Sequence, residues 1–89
     1  MKKFKVEMTK DEMIRYYAKK IVEKGLKDCW GYNIIVSSND FGQCLKYKNE
    51  ILEYIAKDER IADIEIDSKG DFDIVFYSEY MDKQNEEEL

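Results

Sequence analysis

Residues 62–77 alternate between apolar and charged side chains on both sides of a short polar loop, and no other pattern in the chain constrains its fold as tightly. Because successive side chains of a β-strand point to opposite faces, this alternation predicts two strands that each have one buried face. The intervening Ser68-Lys69-Gly70 fits a three-residue hairpin loop, in which a type I turn is followed by a glycine bulge. The segment is therefore predicted to form a β-hairpin. Its buried face would consist of Ile64, Ile66, Phe72, Ile74 and Phe76.

The other face of this hairpin is predicted to carry a block of carboxylates. With the loop at residues 68–70, Asp67 would face Asp71 and Glu65 would face Asp73. Directly opposed like charges reduce the stability of a hairpin by about 0.2–1 kcal/mol per pair. This cost suggests that the carboxylates serve a function other than folding. Two rows of carboxylates at strand spacing carry about one negative charge per 3.4 Å, close to the density along a single DNA strand.

We interpret the carboxylate block as a candidate partner-binding surface. Glu79 keeps the same register as the carboxylates, and Tyr77 and Tyr80 lie beside them in the sequence. Tyrosine is enriched at protein interfaces. The alternative is that these are ordinary solvated side chains, which prevent association between sheet edges. The candidate partner-binding residues are Asp63, Glu65, Asp67, Asp71, Asp73, Tyr77, Glu79 and Tyr80.

Catalytic, metal and cofactor sites are not predicted. The chain contains no histidine, the usual general base near neutral pH. It also lacks the common nucleotide-binding and hydrolase motifs. The oxygen-rich segment 67–73 departs from EF-hand spacing, and strand alternation would spread its carboxylates along a flat face instead of around an ion. We therefore expect a protein that is not an enzyme and that holds no cofactor.

A helix is predicted from Lys10 to Lys24. Thr9 and Glu12 have the spacing of a capping box, in which each side chain accepts a hydrogen bond from the other residue's backbone amide. Gly25 is expected just past the helix end, where a positive φ is often required. Apolar residues at helical spacing form a stripe that we assign to the core, comprising Met13, Ile14, Tyr17, Ala18, Ile21 and Val22.

The remaining elements complete an α+β domain. Alternating residues 3–8 and the β-branched run 32–36 predict two further strands, the second of them central. Residues 37–40 supply turn and capping side chains before a second helix over residues 41–57. The expected architecture is a two-layer β-α-β-α-β-β domain over residues 1–80, with two helices packed on one face of a mixed four-stranded sheet and a frayed acidic C-terminal tail, residues 81–89. The inner face of the second helix would consist of Phe41, Cys44, Leu45, Ile51, Leu52 and Ile55.

Charge is distributed unevenly along the chain. Residues 1–48 carry a net charge of +5 and residues 49–89 a net charge of −10, which together give −5. The basic residues concentrate on the first helix, and a small nucleic-acid-binding regulator that uses this helix is therefore an alternative function. Two isolated cysteines suggest reduced thiols, and no segment resembles a signal peptide or a membrane span, so a cytoplasmic location is expected. The basic residues on the predicted first helix and just after it are Lys10, Arg15, Lys19, Lys20, Lys24 and Lys27.

In size, acidity and tyrosine content the chain resembles the small anti-CRISPR and anti-restriction proteins of phages and mobile elements. The resemblance is carried by residues 63–73 and by Glu86-Glu87-Glu88, and involves no shared motif. It implies a non-catalytic inhibitor, a monomer or homodimer, that acts as a nucleic-acid mimic. Its partner would be a basic nucleic-acid-binding protein, and CRISPR effectors are one candidate class. Direct binding to nucleic acid or to a membrane is not expected. A structural phage or host subunit is a further alternative.

Overall fold

Helices cover one face of an antiparallel sheet in the computed structural model of this chain, which describes residues 8–82 except for the side chains of residues 42–45. The chain is thus an α+β protein, as expected. A ten-residue 3₁₀ helix precedes the second α-helix, and residues 78–82 form a last helical turn, α3. The elements in chain order are α1 (Lys10–Asp28), β1 (Asn33–Val36), the 3₁₀ helix (Ser38–Tyr47), α2 (Lys48–Ala56), β2 (Ile61–Ile66), β3 (Phe72–Phe76) and α3 (residues 78–82).

The described sheet has three strands in the order β1-β3-β2, and both pairings are antiparallel. β3 is therefore the central strand, whereas β1, which was expected to be central, lies at one edge of this sheet. The predicted first strand falls almost entirely outside the described residues, so a mixed four-stranded sheet stays a prediction. A bulge at Ala62 shifts the register between β2 and β3 at the start of the hairpin.

The core lies between the helices and one face of the sheet. All five residues predicted for the buried hairpin face contact it, four as buried residues and Ile66 as a partly buried one. Met81 is also buried, so the first residue of the predicted tail belongs to the core; the rest of that tail lies outside the described residues apart from Asp82. The buried apolar residues are Ile14, Ala18, Ile21, Val22, Val36, Ile51, Ile55, Ile61, Ile64, Phe72, Ile74, Phe76 and Met81.

α1 begins as predicted and ends later than predicted. The Thr9 hydroxyl accepts from the Glu12 amide at 3.1 Å, and the Glu12 carboxylate accepts from the Thr9 amide at 3.2 Å. These bonds lower the pKa of Glu12. The expectation that Gly25 follows the helix is wrong, because α1 continues to Asp28. Gly25 is instead buried, and a Cβ there would lie 3.3 Å from Phe76 Cζ, so the absent side chain lets α1 approach the sheet.

The predicted second helix is two elements. Ser37 caps a 3₁₀ helix, its hydroxyl accepting from the Asn39 amide at 3.3 Å, and α2 starts only at Lys48. Ile51 and Ile55 are fully buried as predicted. Phe41 and Leu52 are partly buried against the core, while the side chains of Cys44 and Leu45 lie outside the described part of the chain.

The hairpin loop has the predicted geometry. Gly70 has φ of 84°, and its amide donates to the Asp67 carbonyl at 2.9 Å. The Asp67 amide in turn donates to the Asp71 carbonyl at 2.9 Å. A type I turn followed by a left-handed glycine makes these two bonds together, so the loop sets the register of both strands.

Replacing Gly70 with alanine should destabilise the hairpin without unfolding the domain. A left-handed conformation costs a non-glycine residue about 1–2 kcal/mol, and the new Cβ would also displace the flexible Lys48 ammonium, which lies 2.8 Å from its position. Urea unfolding of Gly70→Ala should show this loss, and Gly70→Asn should lose less because asparagine tolerates positive φ. Equal stability of all three proteins would contradict the assigned turn.

Candidate functional site

The sheet face opposite the helices presents a mixed surface of carboxylate, amide and apolar side chains. Residues paired across antiparallel strands lie on the same face, so the register determines which side chains are neighbours. One row consists of Ile35, Asp73 and Glu65, and the next of Asn33, Val75 and Asp63. All are at least partly exposed. We refer to these six residues, Asn33, Ile35, Asp63, Glu65, Asp73 and Val75, as the open face.

Three of the predicted carboxylates project from the open face. Glu65 and Asp73 are directly opposite each other, as predicted. Asn33 Nδ2 donates to Asp73 Oδ1 at 2.7 Å and to the Ile74 carbonyl at 2.9 Å, so Asp73 is held in place from the neighbouring strand. Asp63 Oδ1 accepts from the backbone amide of Ile64 at 2.9 Å. Sequence reasoning missed Asn33 and Ile35, because a four-residue strand without alternation does not indicate which face each side chain joins.

Asp67 and Asp71 stabilise the end of the hairpin instead of extending the acidic row. Asp67 Oδ1 accepts from the backbone amides of Lys69 and Asp71, each at 2.9 Å. Asp71 Oδ1 accepts from the Ser38 amide at 3.0 Å and from the Ser38 hydroxyl at 3.4 Å. Backbone and hydroxyl donors therefore satisfy both of these carboxylates, which the sequence analysis had counted among the candidate partner-binding residues.

The three remaining predicted site residues follow β3 and lie at the opposite end of the hairpin. Tyr77 is 50 % exposed, and its amide donates to the Arg60 carbonyl at 3.0 Å. Glu79 is exposed on α3. Tyr80 is partly buried against the core and lines a cleft with Arg60. Of these three predicted residues, only Tyr77 thus offers a large exposed ring near the open face.

Two further aromatic residues, which sequence reasoning did not select, lie at the same end of the sheet. The Phe76 amide donates to the Tyr32 carbonyl at 2.7 Å, which places the segment before β1 beside the end of β3. Trp30 in that segment is 95 % exposed. The Tyr32 hydroxyl donates to Asp82 Oδ1 at 3.2 Å, and this bond raises the pKa of Tyr32. Exposed aromatic side chains therefore border the open face at this end.

The basic residues of α1 do not form one continuous free surface. Lys10 pairs with Glu50 at 3.2 Å. Lys24 pairs with Asp28 at 3.3 Å and contacts Asp40 at 3.9 Å. Lys20 lies over the ring of Tyr16, 5.5 Å from its centroid. The positive field expected along the helix is therefore divided and partly neutralised.

Arg15 and Lys19 instead line a cleft of about 650 Å³ between α1, the end of α2 and the connection to β2. Lys57 and Arg60 supply two more cations to its rim. We call this the basic cleft; its other lining residues are Ala18, Val22, Tyr54, Ile55 and Asp58. Asp58 binds Arg60 through two hydrogen bonds, Nε to Oδ1 at 2.9 Å and Nη2 to Oδ2 at 2.7 Å. These bonds lower the pKa of Asp58 and raise that of Arg60.

The described residues show neither a metal cluster nor a reactive cysteine environment. Over residues 8–82, no group of three or more candidate ligand side chains could hold a metal ion. Cys29 is partly buried, which raises the pKa of its thiol, and its Sγ lies 3.5 Å from the Gly31 carbonyl. Helices in the same range are too short or too polar to cross a membrane.

Comparison with known proteins gives no match for this chain. The sequence matches no protein-family model and no curated protein, and no solved structure matches the fold. Function must therefore be inferred from the open face and the basic cleft themselves.

The hairpin carboxylates should separate into structural and free groups when they are changed one at a time. Asp67→Ala removes a charged acceptor from two backbone amides, and hydrogen bonds to charged groups contribute about 1.5–3 kcal/mol each. We expect a loss of unfolding free energy of that order in urea denaturation. Glu65→Gln should leave stability unchanged or slightly higher, since it removes a repulsion from Asp73. A larger loss for Glu65→Gln than for Asp67→Ala would contradict this assignment.

The Asp58–Arg60 pair should contribute to stability in a defined pH range. Because the folded pKa of Asp58 is depressed, its contribution is complete above the unfolded pKa of about 3.9 and is lost as pH falls through the lower folded pKa. Asp58→Asn should therefore be less stable than the native protein at neutral pH. The difference should shrink as the pH falls below about 4, as measured by unfolding midpoints. A difference that does not change with pH would contradict the ion pair.

Proposed function

We propose that this protein is a non-catalytic interaction module that docks its open face on a basic surface of a partner protein. The observation that supports this proposal most is that one face of the sheet combines the three carboxylates of Asp63, Glu65 and Asp73 with exposed apolar side chains. Ile35 is 55 % exposed at the strand edge. A surface that served only for solvation would need the charges but not this apolar area.

The exposed aromatic residues at one end of the open face, Trp30, Tyr32 and Tyr77, support the proposal. Tryptophan and tyrosine are enriched among residues that dominate binding energy at interfaces, and exposed Trp30 and Tyr77 at one end of the sheet supply both types. Carboxylates around such anchors accelerate association with a positively charged partner and favour the correct orientation. The apolar and aromatic side chains would then provide most of the affinity, and the acidic ones the selectivity.

The proposed partner is a basic nucleic-acid-binding protein, which this module would inhibit by covering its nucleic-acid surface. The resemblance to anti-CRISPR proteins makes CRISPR effectors a candidate class. The hydrogen bonds of Asp67 and Asp71 argue against a long phosphate-like row, so any mimicry would extend over only three carboxylates. A nucleic-acid-binding function for α1 is less favoured, since Lys10 and Lys24 already pair with acidic side chains.

Neutralising the carboxylates of the open face should weaken capture of the partner. The test compares the native chain with the triple variant Asp63→Asn, Glu65→Gln, Asp73→Asn, each carrying a photo-crosslinking amino acid in place of Ile35, in nuclease-treated bacterial lysate. We expect the native surface to crosslink to a basic nucleic-acid-binding protein. Loss of the three charges should reduce affinity at least about tenfold, with most of the change at low salt.

A charge-matched variant provides the control. Glu23→Gln, Glu53→Gln and Glu59→Gln remove the same net charge from exposed positions outside the open face, and this protein should bind like the native chain. Equal capture by a normally folded open-face variant would contradict the docking surface. Recovery of an acidic protein, or recovery that nuclease abolishes, would contradict the proposed class of partner.

A further inference from the structure

The basic cleft carries positive charge that the described residues leave largely unpaired. Of its four cations, Arg60 is bound by Asp58, and no ion pair between described residues involves the other three. Those three side chains are exposed, and they belong to Arg15, Lys19 and Lys57. A negatively charged ligand can therefore reach them without displacing a carboxylate of the described part of the chain.

The basic cleft is the middle part of a longer groove. A cleft of about 400 Å³ shares Arg15 and Tyr54 with it as lining residues, and a cleft of about 540 Å³ shares Lys57 with it. These two neighbours have no lining residue in common, so the basic cleft lies between them. Along α1 the lining residues extend from Asp11 to Val22, which is about 16 Å or three helical turns. We call the three clefts together the extended groove; its length suits a segment of polypeptide better than a compact small molecule.

The unpaired cations come from both walls of the basic cleft. Arg15 and Lys19 belong to α1, whereas Lys57 caps the end of α2. The floor consists of nearly buried aliphatic side chains, and the ring of Tyr54, which is 46 % exposed, adds apolar area above it. A complementary ligand therefore has an apolar stripe with negative charges on both sides of it. The aliphatic floor residues are Ala18, Val22 and Ile55.

An acidic amphipathic helix has this distribution of side chains, with apolar residues on one face and carboxylates beside them. Single-stranded nucleic acid differs, because proteins bind it with a basic groove along its phosphates and several aromatic rings against its bases. Among the described lining residues, Tyr54 is the one exposed aromatic ring. Carboxylates of Asp11, Asp58 and Glu59 also line the extended groove and would repel a continuous row of phosphates. The arrangement therefore favours a peptide over nucleic acid.

We propose that the extended groove binds an acidic amphipathic helix of a second partner protein. Carboxylates of that helix pair with Arg15, Lys19 and Lys57, and its apolar side chains contact Tyr54 and the aliphatic floor. The open face and the extended groove then present surfaces of opposite charge to two different proteins. The proposal is independent of the proposed function, since no residue of the open face lines the extended groove.

Binding of a synthetic peptide to the isolated protein tests this site. The probe is a fluorescent peptide of about 14 residues, or four helical turns, composed of glutamate, alanine and leucine. Its leucines recur at positions i, i+3, i+4 and i+7, so that they form one apolar face. The two comparison ligands are a peptide of the same composition with scattered leucines and an oligothymidylate of the same charge. By fluorescence anisotropy, the amphipathic peptide should bind at least about tenfold more tightly than either.

Neutralising the three unpaired cations should remove this binding. The variant Arg15→Gln, Lys19→Gln, Lys57→Gln should bind the amphipathic peptide at least about tenfold more weakly than the native chain. On addition of the peptide to the native chain, amide chemical shifts of Ala18 and Ile55 should change, while those of the open face stay constant.

A second triple variant controls for net charge. Lys20→Gln, Lys27→Gln and Lys69→Gln remove the same charge from exposed positions that do not line the extended groove, and this protein should bind the peptide like the native chain. The neutralised open-face variant should also bind it normally, which separates this proposal from the proposed function. No binding of the amphipathic peptide, equal binding of the scattered peptide, or tighter binding of oligothymidylate would overturn the proposal. A native dimer that the groove variant converts to a monomer would assign the groove to a second copy and would also overturn it.

Discussion

Burial of the apolar side of β3 is the constraint on which the rest of the structure depends. Phe72 and Ile74 are completely buried and Phe76 nearly so, and all three lie on the central strand of the described sheet. Burying a large apolar side chain contributes about 1.5–3 kcal/mol, so these three residues are a major source of the stability of the domain. Because side chains alternate along a strand, their burial also forces Asp73 and Val75 outward. The open face is thus a direct consequence of the core.

The close packing of α1 on β3 determines where the connection that contains Trp30 and Tyr32 lies. Gly25 has no side chain to hold the helix away from Phe76, and the helix can therefore continue over the end of the sheet to Asp28. The short connection after α1 brings the chain back beside Phe76. The Phe76 backbone amide donates to the Tyr32 carbonyl there. Trp30 lies in this connection and is almost fully exposed. Core packing and the proposed interface are in this way linked through one glycine.

The charged residues perform distinct tasks that net charge alone does not distinguish. Asp67 and Asp71 accept hydrogen bonds from the backbone and stabilise the turn, whereas Glu65 makes no hydrogen bond within the described residues. Lys10 and Lys24 join α1 to acidic side chains, whereas Arg15 and Lys19 border an open cleft. The described surface therefore has an acidic strip on the sheet and a basic cleft at the helices, and the cleft draws its cations from both halves of the chain. These two surfaces suit different ligands.

The sequence by itself determined those features whose physical cause lies within a few residues. The capping box at Thr9 and Glu12, the glycine turn at Gly70, and the opposition of Glu65 and Asp73 all follow from local hydrogen bonds and from strand alternation. Only the tertiary structure decided that Gly25 lies inside a helix, that Asn33 holds Asp73, and that Asp71 binds Ser38. It also brought Arg15 and Lys19 together with Lys57. Such contacts join residues about 30–50 positions apart, and they form only because burial of a shared core brings distant segments into register.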